Sequence, residues 1–254
     1  MTSPPDAIHP AAALGFGRSA AAYERGRPGY PDGAVDCLVA ALPGRRVIDL
    51  AAGTGKLTRA LAARGCDVVA VEPVAEMRAA IEPPARAVEG TAEAIGLPGA
   101  SVDAVTVAQA FHWFDGPRAL VEIHRVLRPG GMLALIWNRR DMRSGLQAQL
   151  SALLRPHRGD VPAHRDEVWR AAIEDSPLFG PLHEEEFASE QVVDAAGLAD
   201  RIGSISFVAA MGEDERAALL GEVRTLAGGG TVTLRYVVEL QLTTRVPRPV
   251  PPRH

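Results

Sequence analysis

Between Arg46 and Glu72 the chain reads R-V-I-D-L-A-A-G-T-G-K-L-T-R-A-L-A-A-R-G-C-D-V-V-A-V-E, and this stretch restricts the fold more than any other. Val47, Ile48 and Leu50 make a short apolar run, Gly53 and Gly55 interrupt it, a helix-like segment follows, and Val68–Val71 make a second apolar run. The succession predicts strand, tight turn, helix and strand, one βαβ unit. A backbone turning from a buried strand into a helix often needs positive φ and room for a ligand beside it, which glycine supplies without steric cost. Amide groups opening the helix have no intrahelical partners and are expected to face that ligand unpaired. Glu72 ends the second strand, and Pro73 cannot continue its ladder, so a carboxylate stands where it can accept from both hydroxyls of a ribose. The pattern describes a nucleoside site without saying which nucleoside.

Three readings of the turn compete. A phosphate-binding loop of the form G-x-x-x-x-G-K-[ST] would need glycine at Leu50 and a hydroxyl at Leu57, and is rejected. A dinucleotide fingerprint, G-x-G-x-x-G, finds Gly53 and Gly55 but meets Thr58 at its third glycine, which weakens that reading and leaves it open. In the third reading, Asp49-Leu50-Ala51-Ala52-Gly53-Thr54-Gly55 resembles the D-x-G-x-G-x-G motif of class I S-adenosylmethionine-dependent methyltransferases, with Ala51 in place of the first glycine.

Charge and composition narrow the partners. A net charge of -4 and a pI near 6.0 argue against general affinity for nucleic acid or an anionic membrane surface. Lys56 is the sole lysine, so a Schiff-base mechanism elsewhere on the chain is ruled out. Cys37 and Cys66 by themselves make neither a disulfide scaffold nor a zinc site, and core filling is the expected role. No run is long enough to span a bilayer and no basic segment leads into an apolar one at the N-terminus, so a cytoplasmic location is expected. The 254 residues suffice for one domain with a full core and a small lid. Residues 1–13 and the proline-rich 246–254 can bury little and are expected to be mobile.

The βα alternation continues along the chain. Helices are expected at Asp32–Leu42, with Asp32 as N-cap, at Ala75–Ile81 and at Arg118–Leu127, and strands at Arg86–Glu89, Val102–Ala108 and Met132–Trp137. Pro129-Gly130-Gly131 stops the third of these helices and turns the chain. From Asn138 to Leu182 the pattern loosens into helical pieces at Leu146–Leu154 and Glu167–Ile173, taken as a lid. A strand at Glu185–Ala188, helices at Gln191–Ile202 and Glu213–Leu226, and a long alternating strand at Thr231–Thr243 complete it, the late strands forming an antiparallel edge. The organisation expected is a leader (1–31) capping the site, a cofactor-binding core (32–137), a helical insertion (138–182), a completion of the sheet (183–245) and a tail (246–254).

The resemblance extends over roughly the first three-fifths of the chain. D-L-A-A-G-T-G-K-L-T, A-V-E-P-V-A-E-M, G-T-A-E-A-I-G-L-P, V-A-Q-A-F-H-W-F and E-I-H-R-V-L-R-P-G-G, in that order, are similar to the core of the small-molecule branch of class I methyltransferases, the type 11 family. The leader F-G-R-S-A-A-A-Y-E-R-G-R-P-G-Y-P resembles that of trans-aconitate and related small-acid methyltransferases. The resemblance implies a Rossmann-like, doubly wound, seven-stranded and mostly parallel sheet whose last strand is antiparallel. It implies S-adenosylmethionine as cofactor and a small-molecule acceptor, methylated on an oxygen of an acid or hydroxyl compound. Methylation of nitrogen or carbon on a secondary metabolite or peptide is the alternative, and an NAD-binding oxidoreductase or a non-catalytic cofactor-binding protein is a more distant one.

The same resemblance implies contacts. Asp49, Ala51, Gly53, Thr54 and Gly55 would cradle the methionine portion, Asp49 through its amino group, and Glu72 would hold the ribose. Pro73 and Met77 would pack on the adenine, Thr91, Ala92 and Glu93 would border its edge, and Gln109, Ala110 and Phe111 would line the space around the sulfonium. Tyr23 and Arg27 belong with the cofactor set, Arg27 as a bidentate clamp on a carboxylate or as part of a rigid R-P-G-Y-P turn. Tyr30, His112, Trp113, Asn138 and Arg139 would face the acceptor. His112 is a candidate general base or a pocket wall packed beside Trp113, while His124 reads as structural and no metal is expected.

Overall fold

The strand Arg46–Leu50 (β1) sends Val47 to one face of a sheet and Ile48 to the other, as a period of two requires, and both are fully buried. In this computed structural model, residues 24–159, 161 and 168–247 are described; Tyr23, residues 1–22, His164 and residues 248–254 lie outside them. The helices Asp32–Ala41 (α1) and Lys56–Ala62 (α2) cover the Val47 face, packing Leu38, Leu57 and Leu61 against Ala104, Ala134 and Ile136. On the Ile48 face, Gly116–Val126 (α4) and Val168–Glu174 (α6) bring Leu120, Ile123, Trp169 and Ile173 onto Val105, Leu133 and Leu135. Full burial of each such side chain contributes about 1.5–3 kcal/mol, which is why both helix layers are fixed to the sheet.

The sheet has seven strands in the order β3-β2-β1-β4-β5-β7-β6. Here β2 is Asp67–Val71, β3 Arg86–Val88, β4 Val102–Ala108, β5 Leu127–Arg140, β6 His183–Val193 and β7 Val232–Thr244. The first five are mutually parallel, and β7 runs antiparallel between β5 and β6. Apart from α3 (Ala75–Arg78), the remaining helices, α5 (Gly145–Leu154), α7 (Ala195–Gly203), α8 (Ser206–Ala209) and α9 (Glu213–Thr225), build a third cluster with Leu234 and Tyr236 of β7.

Several bounds differ from those the sequence suggests. Pro31, not Asp32, occupies the N-cap of α1, and the Asp32 carboxylate instead lies 2.7 Å from Arg64 Nη2. The strand β5 runs on through Asn138–Arg140, where the sequence suggests that a lid begins, because β7 supplies a partner as far as the pair Arg140 and Tyr236. Gln191–Val193 belong to β6 rather than to a helix, since Leu234, Thr233 and Val232 pair with them. Asp194 then starts α7 by accepting from Gly197 N at 2.8 Å. Among the described residues no helix is long and apolar enough to cross a membrane.

Candidate active site

The turn after β1 holds a chain of left-handed residues: Ala51 at φ 54°, Gly53 at 59° and Gly55 at 82°. A Cβ on Gly55 would also stand 3.3 Å from the Ile81 side chain. The amides here do not all await a ligand. Gly53 N donates to Glu72 Oε2 at 2.8 Å, and Gly55 N donates to Ala52 O at 2.9 Å. Glu72 Oε1 accepts from Val74 N at 2.9 Å, so two backbone amides clamp the carboxylate at the end of β2 while each oxygen keeps a lone pair for a further donor. Burial pushes the Glu72 carboxyl above its ordinary value, against the opposing pull of those amides and of Arg78.

Asp49 lies beneath the turn, fully buried. Its oxygens accept from Thr58 Oγ1 at 2.6 Å and Thr106 Oγ1 at 3.1 Å, and burial raises it to about 6 despite these hydroxyls. Thr58, which spoils the third glycine of a dinucleotide fingerprint, thus serves as the donor that anchors Asp49.

Glu24, the first described residue, reaches this turn. Glu24 accepts from Thr54 Oγ1 and from Arg59, and pairs with Lys56 at 3.3 Å. Burial works to raise the Glu24 carboxyl, but Thr54, Lys56 and Arg59 together hold it below its ordinary value. Arg27 Nη2 donates to Ser204 O at 2.8 Å, Gln191 Nε2 donates to Gly26 O at 3.2 Å, and Asn138 Nδ2 donates to Gly29 O at 3.1 Å. Gly26 is required by closeness: a Cβ there would stand 2.4 Å from Asp200 O.

Between leader and sheet runs a cleft of about 500 Å³, part of it open to solvent. Ala51, Gly53 and Thr54 form its floor, Gln109 its wall at the end of β4, and Arg27 and Tyr30 its roof. Asn138 of β5 and Arg201 of α7 close the far side. This is the carboxyl end of the parallel strands, where open α/β sheets bind ligands. Gln109 is held at φ 61°, and its buried Nε2 makes no hydrogen bond; Asn138 Oδ1 and Arg201 Nη1 are likewise buried and unsatisfied. Buried polar atoms of this kind carry a desolvation cost that a bound ligand would offset.

The other residues singled out in the sequence lie elsewhere. Met77 and Ala92 are buried, Pro73 is half-buried, and Thr91 closes a turn by accepting from Ala94 N at 3.1 Å. Glu93 Oε1 accepts from Asp115 N at 3.0 Å, at the start of α4. Ala110 and Phe111 are buried, Phe111 with its ring 5.3 Å from that of Phe114. The His112 ring lies 4.9 Å from Trp113 and 5.4 Å from Trp137, and neither His112 nor Trp113 lines the cleft described above. Arg139 points away across the sheet, pairing with Glu186 at 2.9 Å and Glu239 at 2.5 Å. Arg201 and Glu24 carry no sequence signal for this site, because it is the folded chain that brings α7 and the leader to the turn.

A family model described as methyltransferase domain matches residues 48–135. An uncharacterized methyltransferase of Mycobacterium tuberculosis is 56% identical over 145 residues, which cover 56% of this chain and 59% of that protein, so the match spans less than two thirds of this relative. An uncharacterized methyltransferase-like protein of Schizosaccharomyces pombe is 33% identical over 219 residues, covering 84% of this chain and 85% of the relative. Among solved structures, one described as a type II methyltransferase from Anaeromyxobacter dehalogenans superimposes with a TM-score of 0.62 at 28% identity, covering 86% of this chain and 96% of that one. The chain belongs to the class I S-adenosylmethionine-dependent methyltransferases.

Proposed function

We propose that the protein binds S-adenosylmethionine and methylates a small molecule, with an oxygen of a small acid or hydroxyl compound as the favoured acceptor. The carrying observation is the Glu72 carboxylate clamped against the left-handed turn, the same turn whose Ala51, Gly53 and Thr54 line a cleft that also holds unsatisfied polar atoms of Gln109, Asn138 and Arg201. Glu72 suits the ribose, the turn above Asp49 the methionine portion, and Arg27 its carboxylate; Pro73, Met77 and residues 91–93 border the place for the adenine. When bound, the cofactor supplies a methyl on a cationic sulfur, which keeps the carbon–sulfur electron pair as a lone pair of the acceptor oxygen forms the new bond.

What remains for the chain is alignment and exclusion of water, and such positioning is worth about 7–11 kcal/mol. The leader, tied to α7 and to the glycine turn, is placed to exclude water. A carboxylate acceptor loses no proton and needs no base, whereas a phenol or ammonium would. The free thiols of Cys37 and Cys66 fit a cytoplasmic location.

Calorimetric titration with S-adenosylmethionine, S-adenosylhomocysteine and NADH tests the reading. The first two should bind, and Glu72→Ala should weaken both by roughly tenfold or more, since each hydrogen bond to a charged group contributes about 1.5–3 kcal/mol. Binding of NADH alone would overturn the cofactor. Incubation with candidate acids, followed by mass spectrometry for the gain of one methyl in place of hydrogen, then identifies the acceptor.

A further inference from the structure

Among the described residues, Arg201, which lines the cleft from α7, and Arg140, on β5, have no anion to neutralise them. Arg201 is 6% exposed and lines the cleft, with Nε donating to Tyr236 Oη at 3.0 Å and Nη1 buried without a partner. Tyr236 is the register partner of Arg140 across β5 and β7, and Arg140 Nη1 donates only to the neutral Ser151 hydroxyl, at 3.2 Å. Among the described residues neither Arg140 nor Arg201 forms an ion pair. The neighbouring acids are engaged elsewhere, Asp200 by Arg25 at 2.9 Å and Glu190 by Arg235 at 3.1 Å. Burial, then the charges of Arg201 and Arg27, push the Arg140 guanidinium down to about 10. Uncompensated buried cations destabilise a fold unless an anion is brought to them.

We propose that Arg201, oriented by Tyr236 and backed by Arg140, is the seat for a carboxylate of the methyl acceptor. The alternative occupant is the carboxylate of the cofactor itself. Position favours the acceptor: the cofactor's determinants, the glycine turn and Glu72, follow β1 and β2, whereas Arg140 and Tyr236 sit on β5 and β7, with β4 between. The glycine turn that would hold the methionine portion follows β1, two strands from β5, and at about 4.8 Å per strand the two are roughly 10 Å apart. Arg27, on the leader, lines the same cleft and is the guanidinium assigned to the cofactor. A guanidinium fork fits the planar carboxylate, and Asn138 beside it offers a further polar contact. The acceptor is accordingly an acid with a spectator carboxylate on Arg201 and its reacting oxygen directed toward Gln109. This assignment rests on the methyl-transfer reading.

Succinate, a small diacid, is a suitable probe, titrated calorimetrically into the protein alone and into the protein saturated with S-adenosylhomocysteine. The expected result is succinate binding that Arg201→Gln weakens roughly tenfold or more, with Arg201→Lys intermediate and the affinity for S-adenosylhomocysteine unchanged within about twofold. Should Arg201→Gln lose its circular-dichroism signature, Arg140→Gln carries the same expectation in milder form. Succinate affinity indifferent to both substitutions would overturn the seat, as would a loss confined to S-adenosylhomocysteine. Inorganic phosphate binding more tightly than succinate at Arg201 would overturn the carboxylate assignment in favour of a phosphorylated acceptor. Failure of the wild type to bind S-adenosylhomocysteine would sink the methyl-transfer reading instead, while succinate titration of the protein alone still decides whether Arg201 holds an acid.

Discussion

Ala51 occupies a left-handed backbone position where the motif it resembles has glycine, at a cost of roughly 1–2 kcal/mol. Its methyl group packs against the cluster that includes Ile48 and Leu50, which offsets part of that cost and explains why the departure is tolerated. Asp49, two residues earlier, is the other costly residue. Its carboxyl is raised from 3.8 to about 6, so the folded state holds the proton more tightly than the unfolded chain between these values. Stability therefore falls as pH rises through that window, and above it the ionised group costs on the order of 3 kcal/mol. Asp49→Asn should remove this slope and be more stable than wild type at mildly alkaline pH, as read by urea denaturation across the window. An unchanged slope would show that another group is responsible. A cationic amino group bound against Asp49 would favour its ionised form, so the stability given up there is the counterpart of affinity.

At the scale of elements, the described part of the leader, residues 24–31, is held by hydrogen bonds to α7 and its C-cap, β5, β6 and the glycine turn. Its tightest constraint is Gly26 against the backbone of Asp200. Gly26→Ala cannot be absorbed by a flexible side chain, because the group in the way is a carbonyl, so the leader must lift. The expected result is S-adenosylhomocysteine affinity weakened several-fold with the urea midpoint nearly unchanged, since few buried apolar contacts are lost; a falling midpoint with intact affinity would contradict it. Elements whose pattern is local and strong were legible in the sequence: β4 is a mostly apolar, valine-rich run found at its predicted residues, and α4 is amphipathic. The boundary between β6 and α7 was not, because Gln191–Val193 are defined by pairing with residues forty positions later in β7. Likewise β5 outruns its apolar segment, since β7 pairs with the polar Asn138–Arg140.

Across the whole molecule the same division holds for the site. The turn from Asp49 to Gly55 and the acid at Glu72 were readable because one βαβ unit contains them all. Arg201 was not, because only the packing of α7 beside β7 brings it to the cleft, where Tyr236 orients it. The residues proposed to contact ligand are therefore drawn from both halves of the chain, and binding should reinforce the fold as a unit. S-adenosylhomocysteine at a hundredfold its Kd would stabilise the folded state by about 2.7 kcal/mol. For a chain of this size that corresponds to a rise in Tm of roughly 5–10 °C, measurable by scanning calorimetry. The shift should be largely lost in Glu72→Ala at the same ligand concentration and smaller than wild type in Gly26→Ala, where the roof of the cleft no longer seats. An equal shift in Gly26→Ala would mean that the cofactor is held by the sheet alone, leaving the leader to act on the acceptor.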